Sequence, residues 1–193
     1  IEDPYFLVLG QAQVGKKISI RASYTDGDGK LESVTSAQSV AVRNVDDPAT
    51  GSLQWVGQAV EDQTLTAQWL NLFDEDGLPS NFTYIWLADQ AVIAGASSST
   101  LELTQAQVGK NITLKVQFTD LQGHLEEFRS ENNGTVVNVN DPTLGVVAIA
   151  GAAKQGTLLQ AVTKNLSDED GMGTFTYQWW INGQAISGAT NST

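Results

Sequence analysis

The chain has no cysteine, which excludes disulfides, thiolate metal sites and cysteine nucleophiles. Its single histidine, His124, excludes multi-histidine metal centres and argues against a Ser-His-Asp triad. Basic residues are scarce: 10 Lys and Arg face 22 Asp and Glu, a formal net charge of −12. Such a surface repels a phosphate backbone, so nucleic acid is not an expected partner. No apolar run reaches the roughly 20 residues that a membrane-spanning helix needs, and no signal peptide is read at either end.

The 193 residues include 41% hydrophobic side chains and 15 aromatics (5 Trp, 4 Tyr, 6 Phe), the composition of a chain that buries a core. The dominant feature is an internal repeat. Gln11-Ala12-Gln13-Val14-Gly15-Lys16 recurs at Gln105–Lys110, and the register holds to Pro48 and Pro142 with an offset of 94 and 18 of 38 positions identical. From Gly51 and Gly145 the same offset of 94 carries Asn71–Gly77 onto Asn165–Gly171. One residue is then lost, and Phe82-Thr83-Tyr84-Ile85-Trp86 maps onto Phe175-Thr176-Tyr177-Gln178-Trp179. On this reading residues 45–140 form a complete unit, residues 1–44 the back half of a preceding one, and residues 141–193 the front half of a following one. The two half-units leave unpaired sheet edges, so the tail of one molecule is expected to complete the head of another, or of itself.

Short alternating runs between turn residues predict an all-β fold of sandwich type. Leu65, Ala67 and Trp69 share one strand face, as do Phe82, Tyr84 and Trp86, and Ile112, Leu114, Val116 and Phe118. Ile18, Ile20, Ala22 and Tyr24 repeat the last pattern. Ile181-Asn182-Gly183-Gln184 is a two-residue hairpin signal; the complete unit has Asp89-Gln90 there, so that turn is expected to differ or be strained. A unit of about 94 residues with seven or so strands and a mid-chain tryptophan suits an immunoglobulin-like sandwich, with Trp86 in the core.

The ordered motifs Asp74–Gly77, Tyr84–Trp86, Ile93–Ser97, Gln107–Lys110, Thr119–Gly123 and Asn138–Pro142 resemble the tandem immunoglobulin-like repeats of giant bacterial adhesins. That resemblance implies a stalk role on the bacterial cell surface after export by type I secretion, with neighbouring repeats of the same protein as partners.

In an immunoglobulin-like topology the loop Asp74-Glu75-Asp76-Gly77, the loop from Asp120 to Glu126 and the linker Asn44–Pro48 meet at one pole. Asp46, Asp47, Asp74, Asp76, Asp120 and Glu126 are therefore expected to converge. The next junction gathers Asn140, Asp141, Asp168 and Asp170, and the head keeps Asp26, Asp28 and Glu32 of its own pole. Clustered carboxylates repel unless a cation or protons intervene. An all-oxygen donor set favours Ca²⁺, which would stiffen the junction. The competing explanation is that these Asp and Gly residues are turn formers on an acidic surface.

Other candidates carry less. His124, beside Gly123, reads as a surface residue. The acidic pairs Asp74/Asp76 and Glu126/Glu127 are explained by turns without a glycosidase cleft, and no catalytic residue is assigned. The sequons at Asn81, Asn111, Asn133, Asn165 and Asn191 follow from a Ser/Thr-rich composition. The alternative to a spacer is a carbohydrate- or protein-binding module; an exposed cluster of aromatics on one unit, drawn from Trp55, Trp69 or Trp180, would mark it.

Overall fold

The computed structural model describes residues 6–131 and 134–193; Asn133 lies outside them. The chain is all-β, with single helical turns at Gln11–Gln13 and Gln105–Gln107. In the head, β1 (Arg21–Thr25) and β2 (Leu31–Thr35) pair antiparallel. The central unit contributes β3 (Thr50–Val56), β4 (Thr64–Phe73), β5 (Thr83–Ala88), β6 (Ala91–Val92), β7 (Thr100–Glu102), β8 (Asn111–Thr119), β9 (Leu125–Arg129) and β10 (Gly134–Thr135). The tail holds β11 (Ala148–Ala150), β12 (Gln160–Val162), β13 (Trp180–Ile181) and β14 (Gln184–Ala185), paired as two hairpin-like ribbons.

Two sheets form the central unit. One runs β3-β4-β7; the other runs β10-β8-β5-β6, with β9 also on β8. β9 and β10 both pair β8, at its two ends, so they act as one last strand interrupted midway. The period of two decides what faces inward. Ile112, Leu114 and Val116 of β8 and Trp86 of β5 are wholly buried. They meet Leu53 and Trp55 of β3, Leu65 of β4 and Leu101 of β7 in a single core. Trp86 donates its indole N–H to the Ser98 carbonyl at 2.9 Å, which satisfies the ring's polar atom inside that core. At one end Trp69, Phe82, Phe118 and Phe128 pack edge to face, tilted or stacked, with centroids 5.1–6.5 Å apart.

The sequence repeat is a repeat of hydrogen bonds. Ile93 N–H to Trp86 O recurs as Ile186 N–H to Trp179 O, both at 2.9 Å. Trp179 donates to the Asn191 carbonyl at 2.8 Å, the counterpart of Trp86 on Ser98. In the head, Gly15 N–H to Val42 O repeats Gly109 N–H to Val136 O, both at 2.9 Å. What differs is cover: Ile20 is 70% exposed where its counterpart Leu114 is 0% exposed, because among the described residues no second sheet lies over the head. Trp179, expected in the core, is half-buried for the same reason.

The two hairpin turns follow one backbone path. Asn182 and Gly183 have φ of 45° and 79°, and Asp89 and Gln90 have φ of 48° and 69°. Both central residues at positive φ make a type I′ turn, so the central unit keeps the geometry and carries the strain on Gln90. Asp89 compensates by accepting the Asn111 N–H on its side chain at 2.9 Å.

Candidate metal centres

The first centre is built by three segments that the sandwich brings to one pole. The linker supplies Asp46 and Asp47, the β4–β5 loop Asp74 and Asp76, and the β8–β9 loop Asp120 and His124. Local turn chemistry fixes each loop. Asp74 Oδ1 accepts the Asp76 N–H at 2.8 Å, and the chain reverses at Gly77, φ 95°. A side chain there would press into Leu121, with a Cβ only 2.8 Å from Leu121 Cδ1. The Leu121 N–H donates to the Gly77 carbonyl at 3.2 Å and ties the two loops together. Asp120 Oδ1 accepts the N–H groups of Gln122, Gly123 and His124 at 2.8, 2.6 and 2.8 Å.

Asp120 is therefore a turn former through one oxygen and a cluster member through the other, whereas Asp74 forms its turn and borders the cluster. Asp120 Oδ2 lies 3.3 Å from His124 Nδ1, which is also 2.9 Å from Asp46 Oδ1 and 4.0 Å from Asp76 Oδ2. Ligand atoms of Asp46, Asp76, Asp120 and His124 all fall within 4.8 Å of one another, close enough to hold a metal ion. Asp47 contributes its backbone: its N–H donates to Asp76 Oδ2 at 2.9 Å. Gln11 of the head donates from Nε2 to Asp76 Oδ1 at 2.8 Å, so this one carboxylate links head, linker and central unit. Asp74 is buried, and its Oδ2 has no hydrogen-bond partner. An orphaned carboxylate oxygen beside three other acids fits a cation, because burying it unpaired is costly.

The electrostatics follow from these contacts. The Asp47 N–H, ahead of burial's opposite pull, holds Asp76 below the ordinary carboxylate range, with Gln11 assisting. The Asn44 amide also favours the Asp76 carboxylate from nearby, although its own nitrogen and oxygen reach no hydrogen-bond geometry. Burial would raise Asp120, but its backbone donors and His124 outweigh that and lower it. Burial pulls His124 down, and the carboxylates of Asp120, Asp46 and Asp76 more than reverse this, so its pKa is raised. Glu126 is pushed up by burial and by repulsion from Asp46, Asp74 and Asp120, only partly relieved by the Ala49 N–H.

The second centre repeats the scheme at the next linker. Asp141 N–H donates to Asp170 Oδ2 at 2.8 Å, as Asp47 does to Asp76, and Asn138 Nδ2 donates to Asp170 Oδ1 at 2.6 Å. Asp168 Oδ1 accepts the Asp170 N–H at 3.1 Å. Glu61, buried, accepts the Val139 N–H at 3.1 Å and joins Asp141 and Asp170 within the same 4.8 Å limit. Burial, then Asp170, Asp62 and Asp168, raise the Asp141 pKa. One difference is instructive. Thr143 Oγ1 donates to Asp168 Oδ2 at 2.7 Å, whereas the corresponding residue of the first junction is Ala49, which leaves Asp74 Oδ2 without that donor.

Of the twelve acids expected to ligate, the structure brings Asp46, Asp76 and Asp120 together at one pole and Asp141 and Asp170 at the other. Asp74, Glu126 and Asp168 border the clusters without joining the groups within 4.8 Å, and Asp47 acts through its N–H. Asp26 spends Oδ1 on the N–H groups of Asp28 and Lys30, and Asp28 and Glu32 are exposed. Asn140 turns its amide to the Asp141 carbonyl. Two members escape sequence reasoning. Glu61 has no counterpart in the repeat, since Gln155 stands there, and His124 is not a plain surface residue but a half-exposed cation candidate among three carboxylates. The signal for His124 was Lys30 at the equivalent position, a cationic side chain closing the same loop.

No family model, curated protein or solved structure matches this chain.

Proposed function

We propose that this chain is a spacer segment of an extended bacterial cell-surface adhesin, built from tandem immunoglobulin-like repeats and stiffened by Ca²⁺ at the junctions. The observation that carries this reading is the meeting of linker and loop carboxylates at both junctions, with an Asp N–H on the linker donating to the second aspartate of the Asp-Glu-Asp-Gly loop each time. Connectivity supports the immunoglobulin-like part: a β3-β4-β7 sheet faces a sheet led by β8 and β5, with the buried tryptophan on the third strand. The donor sets support a hard cation. Oxygens dominate at the first centre and are the only donors at the second.

When bound, Ca²⁺ would neutralise carboxylates held against each other and cross-link linker to loop. Asp76 and Asp170 would be the shared ligands, positioned by the Asp47 and Asp141 N–H groups. A junction so tied holds one orientation, where a bare linker bends at little cost. Against a direct binding module stands the placement of the aromatics. In the central unit Trp55 and Trp86 are core, Trp69 is packed among phenylalanines, and Phe73 is the only strongly exposed ring among that unit's described residues.

A thermal melt of the chelator-treated protein against free Ca²⁺, repeated with Mg²⁺ at matched ionic strength, tests the proposal. A saturable rise in Tm specific to Ca²⁺, cut back in Asp76→Asn and Asp170→Asn, is expected, because a ligand that binds only the native state stabilises it by mass action. An equal, unsaturated response to both ions would reduce the clusters to acidic turns and overturn the calcium reading.

A further inference from the structure

The two junctions do not offer the same atoms. The second gathers carboxylates alone, from Glu61, Asp141 and Asp170. The first adds a nitrogen: His124 Nδ1 lies 2.9 Å from Asp46 Oδ1, 3.3 Å from Asp120 Oδ2 and 4.0 Å from Asp76 Oδ2. Four donors bound to one ion at the usual zinc bond length of about 2.1 Å stand about 3.4 Å apart at the corners of a tetrahedron. The three separations straddle that edge. Asp120 has spent Oδ1 on three backbone N–H groups and is left to bind through Oδ2. Asp76 is pinned by the Asp47 N–H and the Gln11 amide. The side chains of Asp76 and Asp120 are fully buried and form a floor, while Asp46 and His124 are half-exposed and leave a way in. Asp74, tied to the Asp76 N–H through Oδ1, borders this group as a buried carboxylate whose Oδ2 has no partner. A buried charge that no hydrogen bond answers points to a cation.

We propose that the first junction is also a Zn²⁺ site, ligated by His124 Nδ1 and one oxygen each of Asp46, Asp76 and Asp120. This rests on the reading above only in taking the junction to hold a cation; what it adds is which ion prevails there. Ca²⁺ takes about six to eight oxygen ligands and gains nothing from an imidazole. Zn²⁺ is satisfied by four donors and binds well to a nitrogen among them. Zn²⁺ therefore displaces Ca²⁺ from the first junction and leaves the second, whose group has no nitrogen, to Ca²⁺. The choice resides in one side chain. The equivalent head loop has Lys30 at this position, whose ammonium carries charge but no lone pair to offer a metal. One chain thus carries two junctions that answer to different ions.

The absence of cysteine and the single imidazole make the test clean. Zn²⁺ is titrated by calorimetry into the chelator-treated full chain, with and without saturating Ca²⁺, and His124 is followed by nitrogen NMR. One Zn²⁺ per chain should bind even against Ca²⁺, and the Nδ1 signal should move with Zn²⁺ and not with Ca²⁺. His124→Gln and Asp46→Asn should each weaken Zn²⁺ at least about 100-fold, since even the outer partners of a ligand are worth about 10–100-fold. His124→Gln should keep a Ca²⁺-dependent rise in Tm from the second junction, which shows that the variant is folded. Asp170→Asn should leave Zn²⁺ binding unchanged. A Zn²⁺ affinity untouched by His124→Gln overturns the proposal. So does a loss on His124→Gln with none on Asp46→Asn, which would reduce the site to a surface imidazole, and so does displacement of Zn²⁺ by Ca²⁺. A Ca²⁺-specific rise in Tm without Zn²⁺ binding overturns this inference and leaves the calcium reading standing; Zn²⁺ binding without a Ca²⁺ response does the reverse.

Discussion

At the scale of single residues, the first junction is set by which atom of each side chain is already engaged. Asp120 gives one oxygen to its own loop and the other to the cluster, while Asp74 gives one oxygen to its loop and leaves the other unpartnered at the cluster's border. His124 is the residue through which pH enters. Its Nδ1 faces Asp46, Asp76 and Asp120 from the linker and two loops, and these raise its pKa above the ordinary 6.5. A group whose folded pKa is raised stabilises fully below its unfolded value, and that contribution is lost as pH rises through the folded value. In metal-free protein, the His124 contribution to Tm should therefore be fully present up to about pH 6.5, while Asp76 and Asp120 remain ionised, and should be lost as His124 loses its proton above that. His124→Gln should remove that decline. Because the chain has a single imidazole, its NMR titration reads the pKa directly, and a midpoint at or below 6.5 would contradict the ion-pair geometry.

At the scale of elements, the strands obey alternation and the turns obey residue chemistry, so both were legible in the sequence. Ile112, Leu114, Val116 and Phe118 alternate, and all four are buried in one strand. The hairpin signal Asn182-Gly183 folds as a type I′ turn, and the expected strain at the central equivalent is real. The chain there makes no new turn; it holds Gln90 at φ 69° because β5 and β6 must still meet. A side chain in that region costs about 1 kcal/mol or more relative to glycine. Gln90→Gly should thus stabilise the central unit by about 0.5–1 kcal/mol after the added unfolded-state entropy, a rise in Tm of about 3 °C. Differential scanning calorimetry checks it; a lower Tm would place the strain elsewhere. The convergence of loops was legible too, since poles follow from strand order. The members contributed by burial were not. Glu61 sits in a turn whose sequence does not repeat, and it joins the second centre only because the following linker folds back against it. The orphaned oxygen of Asp74 depends on Ala49 standing where the next junction has Thr143, a difference with no meaning until the two residues are seen to touch.

At the scale of the whole molecule, three facts act together: a net charge of −12, an acidic cluster at each of the two junctions, and linkers of a few residues each containing a proline. Repulsion alone would hold the units apart without fixing their angle, and it is screened over about 8 Å at physiological salt. Hydrogen bonds from Asp47 and Gln11 to Asp76 tether the first junction, and those from Asp141 and Asn138 to Asp170 the second. A cation bound among the same carboxylates removes the repulsion at short range while keeping the tethers, so it narrows the distribution of angles. Spin labels on Ser33→Cys and Gln160→Cys, in a chain with no other thiol, report that distribution as a distance. With saturating Ca²⁺ the distance should form one narrow population. After chelation it should broaden and extend to shorter values, and raising salt in the chelated protein should broaden it further, since screening weakens the repulsion that remains. Asp76→Asn and Asp170→Asn should each blunt the response to Ca²⁺ without changing the fold of the central unit, because asparagine retains an acceptor oxygen for the linker N–H. A distance distribution indifferent to Ca²⁺, in protein whose Tm responds to it, would separate the two roles: the ion would then stabilise loops, and the stiffness of the array would rest on proline and packing.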